Sequence, residues 1–451
     1  SAPLITGWSG VQVPEGPPLI QIYSKLKVLF TFPCVRKIKK FFGGKMKKFL
    51  VIFTLFISSV ASAGTLVIAS NQSGEGANAA FKQYVADFEA AHPEVTVVLN
   101  EYEGEAYKVA IRNFLTSETP DVALWFAGNR MKYFVDQDLL RDVSDVWEEY
   151  GLYDSMASSK LALTVEDKQY GVPWGYYQWG MYYRTDIFEK VGLSVPTNFE
   201  ELIAACSTLR ENNIVPVAIG TRYLWTAAGW FDYLNMRING YEFHMELTAG
   251  KVSYEDPRLD MVFDKWAELV NADCYLEDHA SFSWEDGLTP MINGEAAMYL
   301  LGNFITGNLD SAGVLDHIDY FQFPKIVDGI PMSEDAPTDT IHIPAGAKNV
   351  EDAKKFLGFL SNAEAVSKWT NARGLLSPNA NSAPPTNRFQ LKGVDVLNNA
   401  YGIAQFYDRD ANPDMAKTGM EGFQEFMVKP DREAKIRARI EKERERIHGP
   451  L

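Results

Sequence analysis

Cysteine is scarce in this 451-residue chain, which holds three, at positions 34, 206 and 274. No paired-cysteine spacing of a zinc site occurs. The six histidines (92, 244, 279, 317, 342 and 448) are scattered, with no H-E-x-x-H motif. A G-x-S-x-G elbow is missing, as are a Walker loop and a G-x-G-x-x-G fingerprint. The SGEGAN segment at 73–78 carries two glycines but fits neither phosphate-binding pattern. These absences argue against a metal centre, a serine nucleophile and a nucleotide cofactor, and neither metal nor cofactor is expected. Nor do the 59 acidic residues single out a glycosidase-type carboxylate pair. Basic residues are in deficit, 43 against 59 acidic. Over residues 64–451 the imbalance deepens to 34 against 58. Such a surface repels nucleic acid and anionic lipid, because phosphate binding needs Lys and Arg to displace counterions.

Long apolar runs are also rare. One follows Met46-Lys47-Lys48: FLVIFTLFISSVA, then Ala61-Ser62-Ala63. A basic start, a short apolar stretch and small residues at the cleavage positions predict a cleaved secretory signal over 46–63. No cysteine follows the site, so lipid attachment is not expected there. Residues 1–45 are expected to be an upstream extension outside the fold. No later stretch reaches the ~18 apolar residues of a membrane span. Export to an oxidising compartment leaves Cys206 and Cys274 either as one disulfide or as two separate buried thiols.

What remains, 64–451, has the size of two lobes. TLVIAS, AAFKQYVADFEAAHP and EVTVVLN read as strand, helix and strand, with Phe81, Tyr84, Val85 and Phe88 on one helical face. A helix near 104–117 and a strand at Asp121–Phe126 follow. The same grammar returns after Arg184: FEELIAACSTLRENN as a helix capped by Thr197 or Asn198, VPVAIG as a strand, and RLDMVFDKWAELVNA as a helix with Met261, Trp266 and Leu269 inward. Alternating strands and helices predict an α/β fold with mainly parallel sheets. Ligands of such sheets collect at strand ends and between lobes.

Aromatics are the strongest chemical signal. PWGYYQWGMYYR (173–184) holds six in twelve residues. Trp125, Trp225, Trp230, Trp284 and Phe304 add to them, read as strand-end or loop positions. An exposed ring is costly unless covered. A pyranose covers it, since its C–H faces are apolar and its hydroxyls point to a polar rim. Rim candidates lie beside the rings: Asn129 and Arg130, Asp232, Asp286 and Asn303.

FEAAHPEVTVVLN, TPDVALWFAGNRMKYF, YGVPWGYYQWGMYYRTDIFEKVGLSVPTNFEELI and MINGEAAMYLLGNF occur in that order. With them the chain resembles the extracellular solute-binding proteins of bacterial carbohydrate ABC importers, the group that includes maltose-binding protein. The resemblance implies a two-lobed α/β periplasmic-binding-protein fold of type II with a cleft between lobes. Its three crossings would fall near Tyr177–Gly180, within Asp335–Ile343 and near Arg373–Asn379. One lobe would comprise 64–176 and 340–376, the other 177–339 and 377–451. It further implies a monomeric, non-catalytic periplasmic protein that closes on a mono- or small oligosaccharide and delivers it to a membrane permease. Expected ligand contacts are Ser73 and Glu75 in the first loop, then Trp125, Asn129, Arg130, Trp174, Tyr177, Trp225, Trp230, Trp284, Asp286, Asn303, Phe304, Arg373 and Asp408. Phe304 stands where the family carries Trp. Two other readings use the same residues: a binder of polyamines or other cationic solutes, through cation–π contacts, and a secreted carbohydrate-active enzyme.

Overall fold

Strand-forming apolar segments near the start of the chain are too short to bury themselves alone and must pair. The structure, a computed structural model, describes residues 64–73 and 75–451, with only the backbone of Glu75. The expected signal at 46–63 and the expected extension at 1–45 lie outside the described residues, as does Gly74.

Nine strands build two sheets: β1 (Gly64–Ser70), β2 (Val95–Glu101), β3 (Val122–Phe126), β4 (Val172–Tyr176), β5 (Trp179–Arg184), β6 (Val215–Val217), β7 (Ala296–Gly302), β8 (Ile318–Phe321) and β9 (Thr338–His342). The first sheet has the order β2-β1-β3-β9-β4, and the second β8-β5-β7-β6. Each, with its helices, forms a lobe. In the first lobe, helix α1 (Glu75–Ala91) links β1 to β2, and α2 (Gly104–Thr116) links β2 to β3. Both links return parallel strands, the crossover geometry expected from alternation. Phe81, Tyr84, Val85 and Phe88 of α1 are buried, as their spacing predicts.

The expectation of mainly parallel sheets needs correction. Strands β9 and β4 are antiparallel to their neighbours, and β5 runs antiparallel to both β7 and β8. The reason is connectivity. A strand entering from the other lobe has no helical crossover to restore its direction. Only Tyr177 and Gln178 separate β4 from β5, and this is the first crossing. The second lies between Asp335 and Thr338. For the third, Leu376 bridges Tyr176, Asn379 and Ala380 still hydrogen-bond to the first lobe, and helix Arg388–Asn398 packs on Tyr182 and Tyr320 of the second.

Asn198 caps its helix through Glu201 N–H (2.9 Å). Helix Asp260–Asn271 buries Val262, Phe263, Trp266 and Leu269, whereas Met261 faces solvent. Cys206 and Cys274 are joined as a disulfide within the second lobe. Among the described residues no helix is long and apolar enough to cross a membrane.

Candidate functional site

Between the lobes lies a cavity of about 580 Å³. The first lobe lines it with Gln72, Ser73, Glu103, Glu105, Lys108, Phe126 and Arg130. Trp179, Trp225, Trp284, Glu285, Phe304, Asn308 and Asp310 face them from the second. Tyr177, Arg373, Phe406, Asp408 and Arg409 come from the crossings and one late turn. A larger hollow, about 850 Å³, sits on the first lobe beside Tyr84, Tyr150 and Phe359. Its lysines are already paired with Asp87, Glu94 and Asp352, so the interlobe cleft, where rings and unpaired polar groups converge, is the candidate site.

Local backbone geometry presents the rings. Trp225 opens the helix Trp225–Asn239, here α3, and is half-buried, while nearly every later residue of that helix is buried. Leu224, just before it, has φ 72°, a costly conformation for a branched residue. Phe406 has φ 122°. Its turn is held by Asp410, whose Oδ2 accepts the N–H groups of Gln405 (2.8 Å) and Phe406 (3.2 Å). The Phe406 ring stacks on Trp179 at 4.7 Å, and Trp179 meets Trp225 edge-on at 6.0 Å. Phe304 meets Trp284 edge-on at 5.3 Å and Tyr177 at 5.1 Å. Gly302 makes this approach possible, because a Cβ there would lie 2.5 Å from the Phe304 ring and 2.7 Å from that of Tyr177.

Charges gather opposite. Arg130 pairs with Asp408 (2.5 Å). Arg409 donates to Thr338 O (2.7 Å), the Tyr177 hydroxyl (2.9 Å) and Asp339 (3.2 Å). Gly128, at φ 71°, lets Arg409 dock, since a Cβ would lie 2.6 Å from its carbonyl oxygen. The guanidiniums of Arg130 and Arg409 lie 4.9 and 4.4 Å from the centre of the Phe126 ring. Trp225 Nε1 donates to Glu105 Oε1 across the cleft (3.1 Å), and Lys108 Nζ pairs with the same oxygen (2.8 Å). Arg373 makes no hydrogen bond or close ion pair among the described residues; burial lowers its pKa, against the opposing pull of the Asp339 carboxylate. Desolvation by the cleft walls, then repulsion from Glu105 and Glu103, raises the pKa of Glu285. Among the described residues no group of three His, Cys, Asp or Glu side chains could hold a metal ion.

Of the expected contacts, Ser73, Arg130, Tyr177, Trp225, Trp284, Phe304, Arg373 and Asp408 line the cleft. The Glu75 side chain lies outside the described residues. The others are not among the residues lining this cavity. Trp125 is buried against Tyr107, Phe126 and Phe134 and donates to Arg130 O (3.2 Å). Successive strand residues face opposite ways, and it is the next residue, Phe126, that reaches the cleft. Trp174 stacks on Trp369 at 4.2 Å inside the first lobe. Trp230 is fully buried, edge-on to Tyr275 and Phe323. It and Trp225 share one helix rather than occupying loops. Asn129 donates to Asp410 O (2.6 Å), an interlobe tie beside the cavity. Asp286 completes a capping box with Ser283 at a helix start. Asn303 is buried, accepting from Tyr182 (2.9 Å) and donating to Gly374 O. Tyr182 is buried in the second lobe and Tyr183 packs at its edge.

Cleft-lining residues outside the expected contacts include Glu105, Lys108, Phe126, Trp179, Glu285, Phe406 and Arg409, the last adjoining the expected Asp408. Trp179 carried a signal, lying two positions beyond Tyr177 in the aromatic run. Glu105 and Lys108 read as an ordinary i, i+3 helix pair.

The sequence pattern of the bacterial extracellular solute-binding proteins matches residues 72–367. An uncharacterized ABC transporter extracellular-binding protein of Pyrococcus horikoshii is 26% identical over 338 residues, 72% of this chain and 74% of its own. The multiple sugar-binding protein of Streptococcus mutans is 22% identical over 319 residues, 66% of this chain and 71% of its own. Among solved structures, the bacterial solute receptor AcbH, described as having an exclusive preference for β-D-galactopyranose, superposes with a TM-score of 0.81. It is 30% identical, over 85% of this chain and 99% of its own.

Proposed function

The chain belongs to the bacterial extracellular solute-binding proteins, and from that premise we propose that it captures a mono- or small oligosaccharide for an ABC importer. One observation carries the sugar reading: a cleft between lobes in which the rings of Trp225, Trp284 and Phe304 adjoin charged groups of both signs, Arg373 and Glu285 among them. Rings suit the C–H faces of a pyranose, and the charged groups suit its hydroxyls, as donor and acceptor. The sugar specificities described for AcbH and the Streptococcus mutans protein support the same class. We place the lobes at 64–176 with 338–382, and at 177–337 with 388–451.

The mechanism is closure. A solute touching both walls favours the closed arrangement only through contacts the open one lacks. Micromolar capture requires about −8 kcal/mol, within reach of stacked rings and a few charge-assisted hydrogen bonds. The closed protein then docks on a membrane permease. It acts as a secreted monomer that performs no chemistry on its ligand and binds no nucleic acid, exported by the segment at 46–63.

A panel tests this. Intrinsic tryptophan fluorescence is titrated with neutral mono- and oligosaccharides, D-galactose included, and with polyamines, and each saccharide is assayed for cleavage. The expected result is a saturable response to a saccharide without turnover. A response to polyamines alone, or cleavage of a bound saccharide, overturns the proposal.

A further inference from the structure

We propose that Glu105 is the positioning residue of the cleft: its carboxylate fixes the Trp225 ring and latches the lobes before any solute enters. The inference rests on the closing motion proposed above but not on the identity of the ligand.

Five observations converge on it. Glu105 stands in the first turn of α2, whose start is pinned by Glu103 accepting the N–H groups of Glu105 (3.0 Å) and Ala106 (2.8 Å). Its Oε1 takes the indole N–H of Trp225 from the facing lobe (3.1 Å), which is the single hydrogen bond of that indole among the described residues. Lys108, one turn on, binds the same oxygen at 2.8 Å. The Lys108 ammonium also lies 5.5 Å from the centre of the Trp225 ring and 5.7 Å from that of Phe126, a cation shared by rings of both lobes. Oε2 of Glu105 has no partner among the described residues, so an acceptor stays free at the rim.

The physics follows from these contacts. A hydrogen bond to a charged acceptor is stronger than a neutral one. The ends of this one belong to different lobes, so opening must break it. It therefore raises the closed fraction of the unliganded protein, and the apparent affinity of a solute for the closed form rises with that fraction. Lys108 supplies the orientation. Without it the carboxylate would be free to turn from Trp225 toward water.

Ligand-free protein tests the latch directly. Glu105→Ala, Glu105→Gln, Trp225→Phe and the double variant Glu105→Ala/Trp225→Phe are compared by small-angle scattering. In variants that keep Trp225, the indole N–H resonance, assigned by its loss in Trp225→Phe, is followed by nuclear magnetic resonance. Glu105→Ala is expected to speed exchange of that proton about tenfold and to enlarge the radius of gyration. Trp225→Phe keeps an aromatic ring, removes the donor, and should enlarge the radius to a similar extent. The double variant should match either single one, because both break one bond. Glu105→Gln, with an acceptor but no ion pair to Lys108, should fall between wild type and Glu105→Ala. An unchanged radius in Glu105→Ala and Trp225→Phe, or an indole proton indifferent to Glu105, overturns the latch. Additive effects in the double variant overturn it too. If Glu105→Ala does not fold, Glu105→Gln and Trp225→Phe decide by the same two measurements. Failure here leaves the saccharide panel untouched, and a failed panel leaves the latch standing.

Discussion

The two walls of the cleft are built differently. The second lobe presents rings: Trp179, Trp225, Trp284 and Phe304. The first presents Glu103, Glu105, Lys108 and Arg130, and its one ring, Phe126, lies beneath the guanidiniums of Arg130 and Arg409. Flat surface for a ligand is thus concentrated on one side and charge on the other, where the sequence suggested ring systems contributed by both halves. Such a division lets one wall supply nondirectional burial and the other supply orientation. Affinity and selectivity can then vary separately.

That contrast can be broken by substitution. The largest effect should fall behind the second wall. Trp230→Ala removes a fully buried indole and should cost about 3–5 kcal/mol of unfolding free energy, read from urea titration. A loss of affinity with unchanged stability would put Trp230 in the cleft after all. Five residues earlier on the same helix, Trp225→Ala should weaken saccharide binding at least about tenfold by calorimetry, with the melting temperature nearly unchanged. On the first wall, Arg373→Met keeps the stem and removes the unpaired guanidinium. Affinity should fall about fivefold and stability should hold or rise, because a desolvated charge that makes no hydrogen bond or close ion pair is removed. If this variant loses more affinity than Trp225→Ala, charge rather than ring surface dominates and the contrast fails.

The smallest effect concerns the turn that joins the walls. Burial raises the Asp410 carboxyl from its ordinary 3.8 to about 7. A carboxyl that holds its proton more tightly when folded favours the folded state in acid, and that stability is lost as pH rises from about 4 through 7. Asp232 and Asp335, buried nearby, are shifted upward as well. Asp410→Asn keeps an oxygen for the N–H groups of Gln405 and Phe406, so the fall in melting temperature between pH 5 and pH 8 should shrink relative to wild type. An identical fall would mean that Asp410 does not titrate there.

Most helix faces were legible because they depend on local periodicity, while the two-lobed class followed from chain length and the family resemblance. Phe81, Tyr84, Val85 and Phe88 needed nothing beyond their spacing. The cleft was half legible. Composition located the aromatic segments, but a strand's parity does not say which face meets the other lobe, so Trp125 was expected where Phe126 stands. Trp230 was expected at a strand end or in a loop, whereas it lies fully buried within the helix Trp225–Asn239. Arg409, beside the expected Asp408, and Phe406 line the cleft through a turn docked onto Gly128, a contact between residues almost three hundred positions apart that local periodicity does not encode.

The Cys206–Cys274 link takes on a role in this setting. Cys274 adjoins Tyr275, which bridges to Val217 of β6 and receives the edge of Trp230. Trp230 in turn anchors the helix that begins at Trp225. A covalent staple therefore backs the ring-bearing surface through a short run of packed side chains. Much of the disorder that capture would otherwise have to suppress is removed once, when the thiols oxidise, and the docking face meets each new guest already rigid.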